Sequence, residues 1–163
     1  MQPAVVPARY LRHVDTRIEY FVADRGLAMT LAERGPDGTD LPMALMTWAE
    51  PWVLGSQLWG IIEDLPAPEG SLPFDPEEHN AGGEVLPSAE EGFHGVVQIA
   101  DGFVRALAAL PDERVPAVAE RWATSDEWSA AWEPGALDST VEGLRDLARR
   151  VKRGQHLYMR WRR

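Results

Sequence analysis

The spacing of apolar residues along the chain predicts a small number of strands. Residues 17–23 are rich in β-branched and aromatic side chains, and residues 96–100 form a short apolar run; both patterns are typical of strands. Residues 156–161 alternate apolar with polar positions, which predicts a half-buried strand with one polar face. Residues 43–47 are too short for the pattern to decide whether they form a strand. The prediction is therefore three to four strands.

Helical spacing and capping residues predict four to five helices. The clearest of them begins at the capping box formed by Ser139 and Glu142, and it carries apolar residues three or four positions apart. Asp24 and Asp101 are in position to cap two earlier helices, and Pro51 suits the first turn of another. The predicted helices span residues 25–34, 51–63, 102–110, 115–123 and 139–153.

The pattern is interrupted in the middle of the chain. Residues 65–95 contain many Pro, Gly and acidic residues, which predicts a long acidic surface loop. The other elements predict an α+β fold, in which one small mixed or antiparallel sheet is packed by helices. No repeat and no change of composition marks a boundary, so residues 1–163 are predicted to form a single domain.

Two stretches resemble known sequences. Residues 120–127 (Glu-Arg-Trp-Ala-Thr-Ser-Asp-Glu) are similar to an Arg-Trp-Ala-x-Thr-x-Glu turn in a set of small uncharacterised bacterial proteins. Residues 147–151, followed by Leu-Tyr-Met-Arg-Trp at 157–161, resemble the terminal helix and the Leu-Tyr-x-Trp strand of the same proteins. Those proteins are distantly similar to the YfbM-type domain-of-unknown-function family. The resemblance implies an α/β or α+β fold and carries no assigned activity.

The composition excludes several classes of protein. The 163 residues are 45% hydrophobic and 26% charged, as in an ordinary globular domain. The absence of cysteine excludes disulfides, thiolate metal sites and thiol nucleophiles. The apolar runs are shorter than the ~20 residues that a membrane-spanning helix needs, and the N-terminal residues lack the pattern of a signal peptide. We therefore expect a cytoplasmic protein with no membrane partner.

Charge is distributed unevenly along the chain. The formal net charge is -10, and residues 35–104 contain thirteen Asp or Glu but no Lys or Arg. The last nineteen residues, from Arg145, contain eight basic side chains and a single acidic one. Two interpretations are open: the C-terminal helix and strand lie against the acidic middle of the fold, or both are solvated separately. Because the whole chain is acidic, we expect no nucleic-acid binding.

Known catalytic motifs are absent from the sequence. It contains no phosphate-binding glycine loop, nucleophile elbow or His-Glu-x-x-His helix, and no cofactor is predicted. Carboxylates and imidazoles of the predicted loop are the best metal-ligand candidates, because both suit a divalent cation. The candidate ligands are Asp75, Glu77, His79 and His94. The alternative is a solvated acidic loop in which His94 has no chemical task.

Aromatic and acidic residues offer a different kind of site. Trp128 and Trp132 flank a polar turn and are predicted to be partly exposed, whereas Trp122 is predicted to lie in the core. A partner-binding surface would combine the two exposed tryptophans with the acidic residues Glu77, Glu78, Glu90 and Glu91. The polar face of the last predicted strand is expected to point outward, where it could bind an anion; it carries His156, Tyr158 and Arg160.

These observations lead to two functional hypotheses. The first is an acidic protein-interaction module that binds a basic protein partner, as an immunity-like protein or an accessory protein does. The second is a metal- or histidine-dependent hydrolase, or another small-ligand enzyme, that uses the loop at residues 65–95. Convergence of His79 and His94 with the loop carboxylates in one pocket would favour the enzyme.

Overall fold

The computed structural model describes residues 16–34, 43–47, 51–65, 81–87, 94–125, 128 and 132–162. The strands in this part of the chain are β1 (Thr16–Ala23), β2 (Met43–Thr47), β3 (Gly82–Leu86), β4 (His94–Ile99) and β5 (His156–Arg162). The α-helices are α1 (Arg25–Arg34), α2 (Pro51–Ile62), α3 (Asp101–Ala109), α4 (Val115–Ala123) and α5 (Asp138–Arg150), with a 3-10 turn at Asp112–Arg114. None of these helices combines the length and hydrophobicity needed to cross a bilayer. The predicted α+β fold class is confirmed.

The strands form one antiparallel sheet in the order β2-β1-β5-β4-β3. β5, the last strand in the chain, lies in the middle of this sheet, between β1 and β4. Its register places Tyr158 opposite Phe21 of β1 and opposite Gln98 of β4. β4 belongs to residues 35–104 but carries no Asp or Glu, so its pairing with β5 does not decide between the two interpretations of the charge pattern.

β3 is the strand that the hydrophobic pattern does not predict, because it lies within the predicted loop of residues 65–95. Its sequence, Gly-Gly-Glu-Val-Leu, contains a single β-branched residue, so its own strand propensity is low. Pairing with β4 holds it at the edge of the sheet, with Leu86 opposite Val96. A Cβ atom at Gly83 would lie 2.6 Å from the carbonyl oxygen of Gln98, so this close approach requires glycine. Residues 66–80 and 88–93 of the predicted loop lie outside the described residues.

Helices cover both faces of the sheet. Because alternate residues of a strand point to opposite faces, β1 and β5 contribute to two cores. The larger core contains Ile18 and Met159 and is closed by α2, α3, α4 and α5. The smaller core lies on the opposite face beneath α1, and its buried residues are Phe21, Ala23, Ala28, Leu31, Ala32, Leu86, Val96 and Tyr158.

The ends of the helices agree only in part with the sequence prediction. Asp24 caps α1 as predicted, since its Oδ1 accepts a hydrogen bond from the Leu27 amide at 2.9 Å. α5 begins at Asp138 rather than Ser139 and has no side-chain cap, so the predicted capping box does not form. Its apolar stripe is nevertheless buried as predicted, through Val141, Leu144, Leu147 and Ala148.

Candidate functional site

A buried ion pair joins two neighbouring strands of the sheet. Glu19 of β1 lies directly opposite Arg160 of β5, on the face that α1 covers. The guanidinium group donates from Nε to Oε2 of Glu19 at 2.8 Å, and its Nη2 lies 2.7 Å from the same oxygen. Each side chain is 1% exposed. Charges this deeply buried are tolerated only when they are paired.

Two further arginines share the same carboxylate. Nε of Arg17 and Nη2 of Arg162 each lie 3.1 Å from the other oxygen, Oε1 of Glu19. We refer to Arg17, Glu19, Arg160 and Arg162 as the Glu19 cluster. The buried charges of the Glu19 cluster balance, because Glu19 and Arg160 are each 1% exposed, whereas the side chains of Arg17 and Arg162 are 43% and 23% exposed.

A second set of contacts engages the cations of α5. Arg145 is 7% exposed, and its Nη1 lies 2.8 Å from Oδ1 of Asp112. Arg149 donates from Nε to the carbonyl oxygen of Ala108 at 3.1 Å and from Nη2 to that of Leu110 at 2.9 Å. These carbonyl groups lie at the C-terminal end of α3, where a cation is favoured by the helix dipole.

The Glu19 cluster and the α5 contacts involve the same short stretch of sequence. Eight basic residues follow residue 144. At least four of them bind carboxylates or carbonyl groups of their own chain; these are Arg145, Arg149, Arg160 and Arg162. Much of the positive charge of the C-terminal segment is therefore engaged within the fold.

Three tryptophans form a ladder at the corner between α4 and α5. The rings of Trp122 and Trp128 meet edge to face with their centroids 4.8 Å apart, and those of Trp128 and Trp132 do so at 5.3 Å. Exposure increases along this Trp ladder, from 2% at Trp122 to 7% at Trp128 and 38% at Trp132. Edge-to-face contacts are a favourable arrangement of aromatic pairs. The ladder thus connects the core to the surface.

Hydrogen bonds to the backbone fix the two inner rings. Nε1 of Trp122 donates to the carbonyl oxygen of Leu54 in α2 at 3.0 Å. Nε1 of Trp128 donates to the carbonyl oxygen of Trp122 at 2.8 Å. Both indole N–H groups are satisfied although the rings are buried, which Trp requires in a protein interior. Trp132 therefore rests on a rigid support.

The structure corrects the prediction for one of the two partner-binding tryptophans. Trp128 is buried, so the expectation that it is partly exposed is wrong. The physical reason is its place in the Trp ladder: the rings of Trp122 and Trp132 both contact it, and its N–H bonds to the backbone. Trp132, at the outer end, is partly exposed as expected.

The chain around the Trp ladder is acidic. Residues 122–144 contain five Asp or Glu and no Lys or Arg. Glu133 and Glu142 are exposed, and Asp138 is half-buried. The exposed part of Trp132 therefore lies next to Glu133 in a stretch whose charges are all negative.

Most of the predicted loop residues lie outside the described part of the chain; these are Asp75, Glu77, Glu78, His79, Glu90 and Glu91. His94 is described, and it is not the loop residue that the sequence predicts. It is the first residue of β4, is 1% exposed, and lies opposite Arg162 because the pairing of β4 with β5 extends to this position. Among the described residues no group of three or more His, Asp or Glu could hold a metal ion. The metal site stays a prediction.

The polar face of β5 also differs from expectation. Tyr158 and Arg160 are buried rather than outward-facing, because α1 covers Tyr158 and Arg160 binds Glu19. Burial raises the pKa of the Tyr158 phenol. His156 is half-buried, and its Nδ1 lies 3.2 Å from Nε2 of Gln98. The opposite charges at positions 19 and 160 are visible in the sequence, but they become informative only when the register of β1 and β5 is known.

A small cleft lies beside β3. Among its lining residues that the structure describes, Tyr20 alone has a titratable side chain, and burial raises the pKa of that phenol. The other lining residues are Gly55, Ala81, Gly82, Ile99, Phe103 and Met159. A general acid or base must titrate near the working pH, so this cleft does not favour a hydrolase.

No protein-family model, curated protein or solved structure matches this chain. The resemblance to the YfbM-type family therefore stays a prediction, and the function has to be inferred from the charges and contacts of the site.

Proposed function

We propose that the protein is an interaction module whose acidic surface binds a basic protein partner. The observation that carries this proposal is the engagement of the C-terminal cations within the fold. The Glu19 cluster binds three arginines to one carboxylate, and α5 binds two more to Asp112 and to backbone carbonyls. Because these arginines are already paired with groups of their own chain, they are less available to neutralise the other carboxylates of the surface.

Exposed carboxylates are available for such a partner. Several of them form no ion pair within the described part of the chain; these are Glu33, Glu113, Glu120, Glu133 and Glu142. A surface with one predominant sign of charge attracts an oppositely charged protein over a distance and orients it before contact. The partner would therefore be a protein with a face rich in Lys or Arg. Immunity-like proteins that neutralise a toxin, and accessory subunits, are two classes that fit this description.

The proposal can be tested with a defined basic probe and the whole chain. The probe is a decapeptide of alternating Arg and Ala, and its control is the same peptide with citrulline in place of each Arg. At about 20 mM salt we expect the Arg peptide to bind at least about tenfold more tightly by isothermal titration. The difference should shrink at about 150 mM salt, where charges are screened beyond ~8 Å. Equal affinity for the two peptides at low salt would contradict the proposal.

A further inference from the structure

We infer that Trp132 is the contact point for the basic partner, and that an Arg or Lys side chain of the partner packs against its exposed ring. This inference rests on the proposed function and names the surface that performs it. We define the Trp132 surface as the exposed part of the Trp132 ring together with the neighbouring side chain of Glu133.

Trp132 differs from the other exposed apolar residues of the described chain. Those are Leu27 on α1, which is 51% exposed, and Val85 on β3, which is 58% exposed. Both are single aliphatic residues, and isolated exposed aliphatic residues are common on protein surfaces. Trp132 is aromatic and belongs to a packed ladder. Tryptophan is also among the residues most enriched at the centres of protein interfaces.

The chemistry of the Trp132 surface suits a cation. The face of an indole ring carries negative electrostatic potential, and among side chains Trp attracts Arg and Lys most strongly in this way. Glu133, the next residue in the chain, adds a full negative charge to this surface, and it is exposed. No Lys or Arg of residues 122–144 competes for the position. An anionic partner would be repelled here, and an uncharged one would gain nothing from the carboxylate.

The Trp ladder also prepares the ring for binding. A flexible aromatic side chain loses conformational entropy when a partner orders it, and this loss weakens binding. The ring of Trp132 already packs against Trp128, whose own ring is fixed by packing and by the hydrogen bond to Trp122. The Trp132 side chain is therefore already partly ordered in the folded protein, so binding a partner costs less of its conformational entropy.

The experiment compares three ways of changing the Trp132 surface in the whole chain. Trp132→Leu keeps an apolar side chain without a ring, Trp132→Phe keeps a smaller ring, and Glu133→Gln removes the charge. Leu27→Ala and Val85→Ala are matched controls, because they remove the other two exposed apolar side chains. Binding of the Arg decapeptide is measured by titration at about 20 mM salt, where electrostatic contacts are weakly screened. Near-ultraviolet circular dichroism verifies that the tryptophan packing of each variant is intact.

We expect Trp132→Leu to weaken binding by at least about tenfold, and Trp132→Phe to weaken it less, since a phenyl ring still attracts a cation. Glu133→Gln should weaken binding about two- to threefold, and this variant tests the surface even if the ring variants lose their packing. The two controls should bind within about twofold of the unchanged protein.

Three results would separate failure of the inference from failure of the proposed function. If the Arg peptide binds the unchanged protein and Trp132→Leu equally well, the inference is wrong while the proposed function stands. If the unchanged protein does not distinguish Arg from citrulline, the proposed function itself fails. If Trp132→Leu alters the sedimentation of the protein alone and leaves peptide binding unchanged, a second copy of this chain covers the surface, and the inference is wrong.

Discussion

Arg160 binds Glu19 across β5 and β1, with its Nε and Nη2 at 2.8 Å and 2.7 Å from one carboxylate oxygen, and both side chains are almost completely buried. The two residues are 141 positions apart in the sequence, so the pair forms only when the first and last described strands have come together. The contact that joins these strands buries one cation and one anion together, so it leaves the net charge of the surface unchanged.

Removing one partner of this pair should destabilise the protein strongly. In Glu19→Leu the guanidinium group of Arg160 remains buried and loses the carboxylate that it binds, and breaking a buried ion pair in this way costs about 3–5 kcal/mol. The double variant Glu19→Leu/Arg160→Met removes both charges and should lose less stability than the sum of the two single variants. Urea unfolding at pH 7 measures all three.

The matched control for this experiment is an exposed ion pair. Arg25 of α1 donates two hydrogen bonds of 2.7 Å to the carboxylate of Glu84 in β3. These hydrogen bonds lower the pKa of the Glu84 carboxyl. Since both groups remain in solvent, Glu84→Gln should leave the unfolding midpoint nearly unchanged. A Glu19→Leu variant that is as stable as Glu84→Gln would show that the buried pair is not needed to close the sheet.

Gly95 should not tolerate a side chain. A Cβ atom there would lie 2.5 Å from Cζ2 of Trp161, whose ring packs over this position of β4. Gly95→Ala should therefore destabilise the protein by about 1–3 kcal/mol, the usual effect of overpacking. Gly26→Ala is the control, because among the described residues its Cβ would meet the end of the Asp24 side chain alone, at 3.3 Å. Thermal unfolding in which both variants lose equal stability would contradict the packing described for Trp161.

Alkaline pH should destabilise the protein through two buried tyrosines. Burial raises the pKa of the Tyr20 and Tyr158 phenols above the ordinary value of 10.0. The folded protein therefore keeps protons that the unfolded chain releases above about pH 10, so their stabilising effect is complete below that pH and declines as the pH rises. Each phenol contributes a slope of at most about 1.4 kcal/mol per pH unit.

This dependence is checked by urea unfolding between about pH 8 and pH 11, in the range where tyrosine titrates. Tyr158→Phe should reduce the slope above pH 10 and have little effect at pH 7, because the Tyr158 hydroxyl has no hydrogen-bond partner among the described residues. A slope above pH 10 that is the same in the unchanged protein and in Tyr20→Phe/Tyr158→Phe would exclude these two residues as its cause.

The inner and outer tryptophans of the ladder should differ in their effect on stability. Trp128→Phe removes the hydrogen bond from Nε1 to the buried carbonyl of Trp122 and should cost about 1–3 kcal/mol. Trp132→Phe changes a partly exposed ring and should cost less than about 0.5 kcal/mol. Equal losses in the two variants, measured by guanidinium unfolding, would mean that the Trp ladder does not lead from core to surface.

The fold class could be predicted from the sequence because most elements carry a clear periodic pattern. The strand β5 and the apolar stripe of α5 both follow from local spacing and are both present, although β5 is buried on both faces rather than half-buried. β3 could not be predicted, since Gly82 and Gly83 carry no strand preference and the strand depends on its pairing with β4. Propensity describes a segment in isolation, whereas an edge strand is stabilised by its neighbour.

The candidate site was harder to predict than the fold. The partial exposure of Trp132 follows from its polar flanks, but the burial of Trp128 depends on contacts with two rings that the sequence does not place. His94 likewise follows a glycine-rich segment, and only the extension of β4 to this residue shows that it is buried. Glu19 and Arg160 are separated by most of the chain, so their contact requires the sheet register.

The central claim is that cations engaged within the fold leave an acidic surface that recruits a basic partner. The most direct measurement is the association rate constant of the Arg decapeptide with the whole chain, followed by stopped-flow tryptophan fluorescence as the salt concentration rises. We predict that this rate falls at least about tenfold between about 10 mM and 150 mM salt, as expected for charge-steered encounter. A rate that is independent of salt, or equal to that of the citrulline peptide, would contradict the claim.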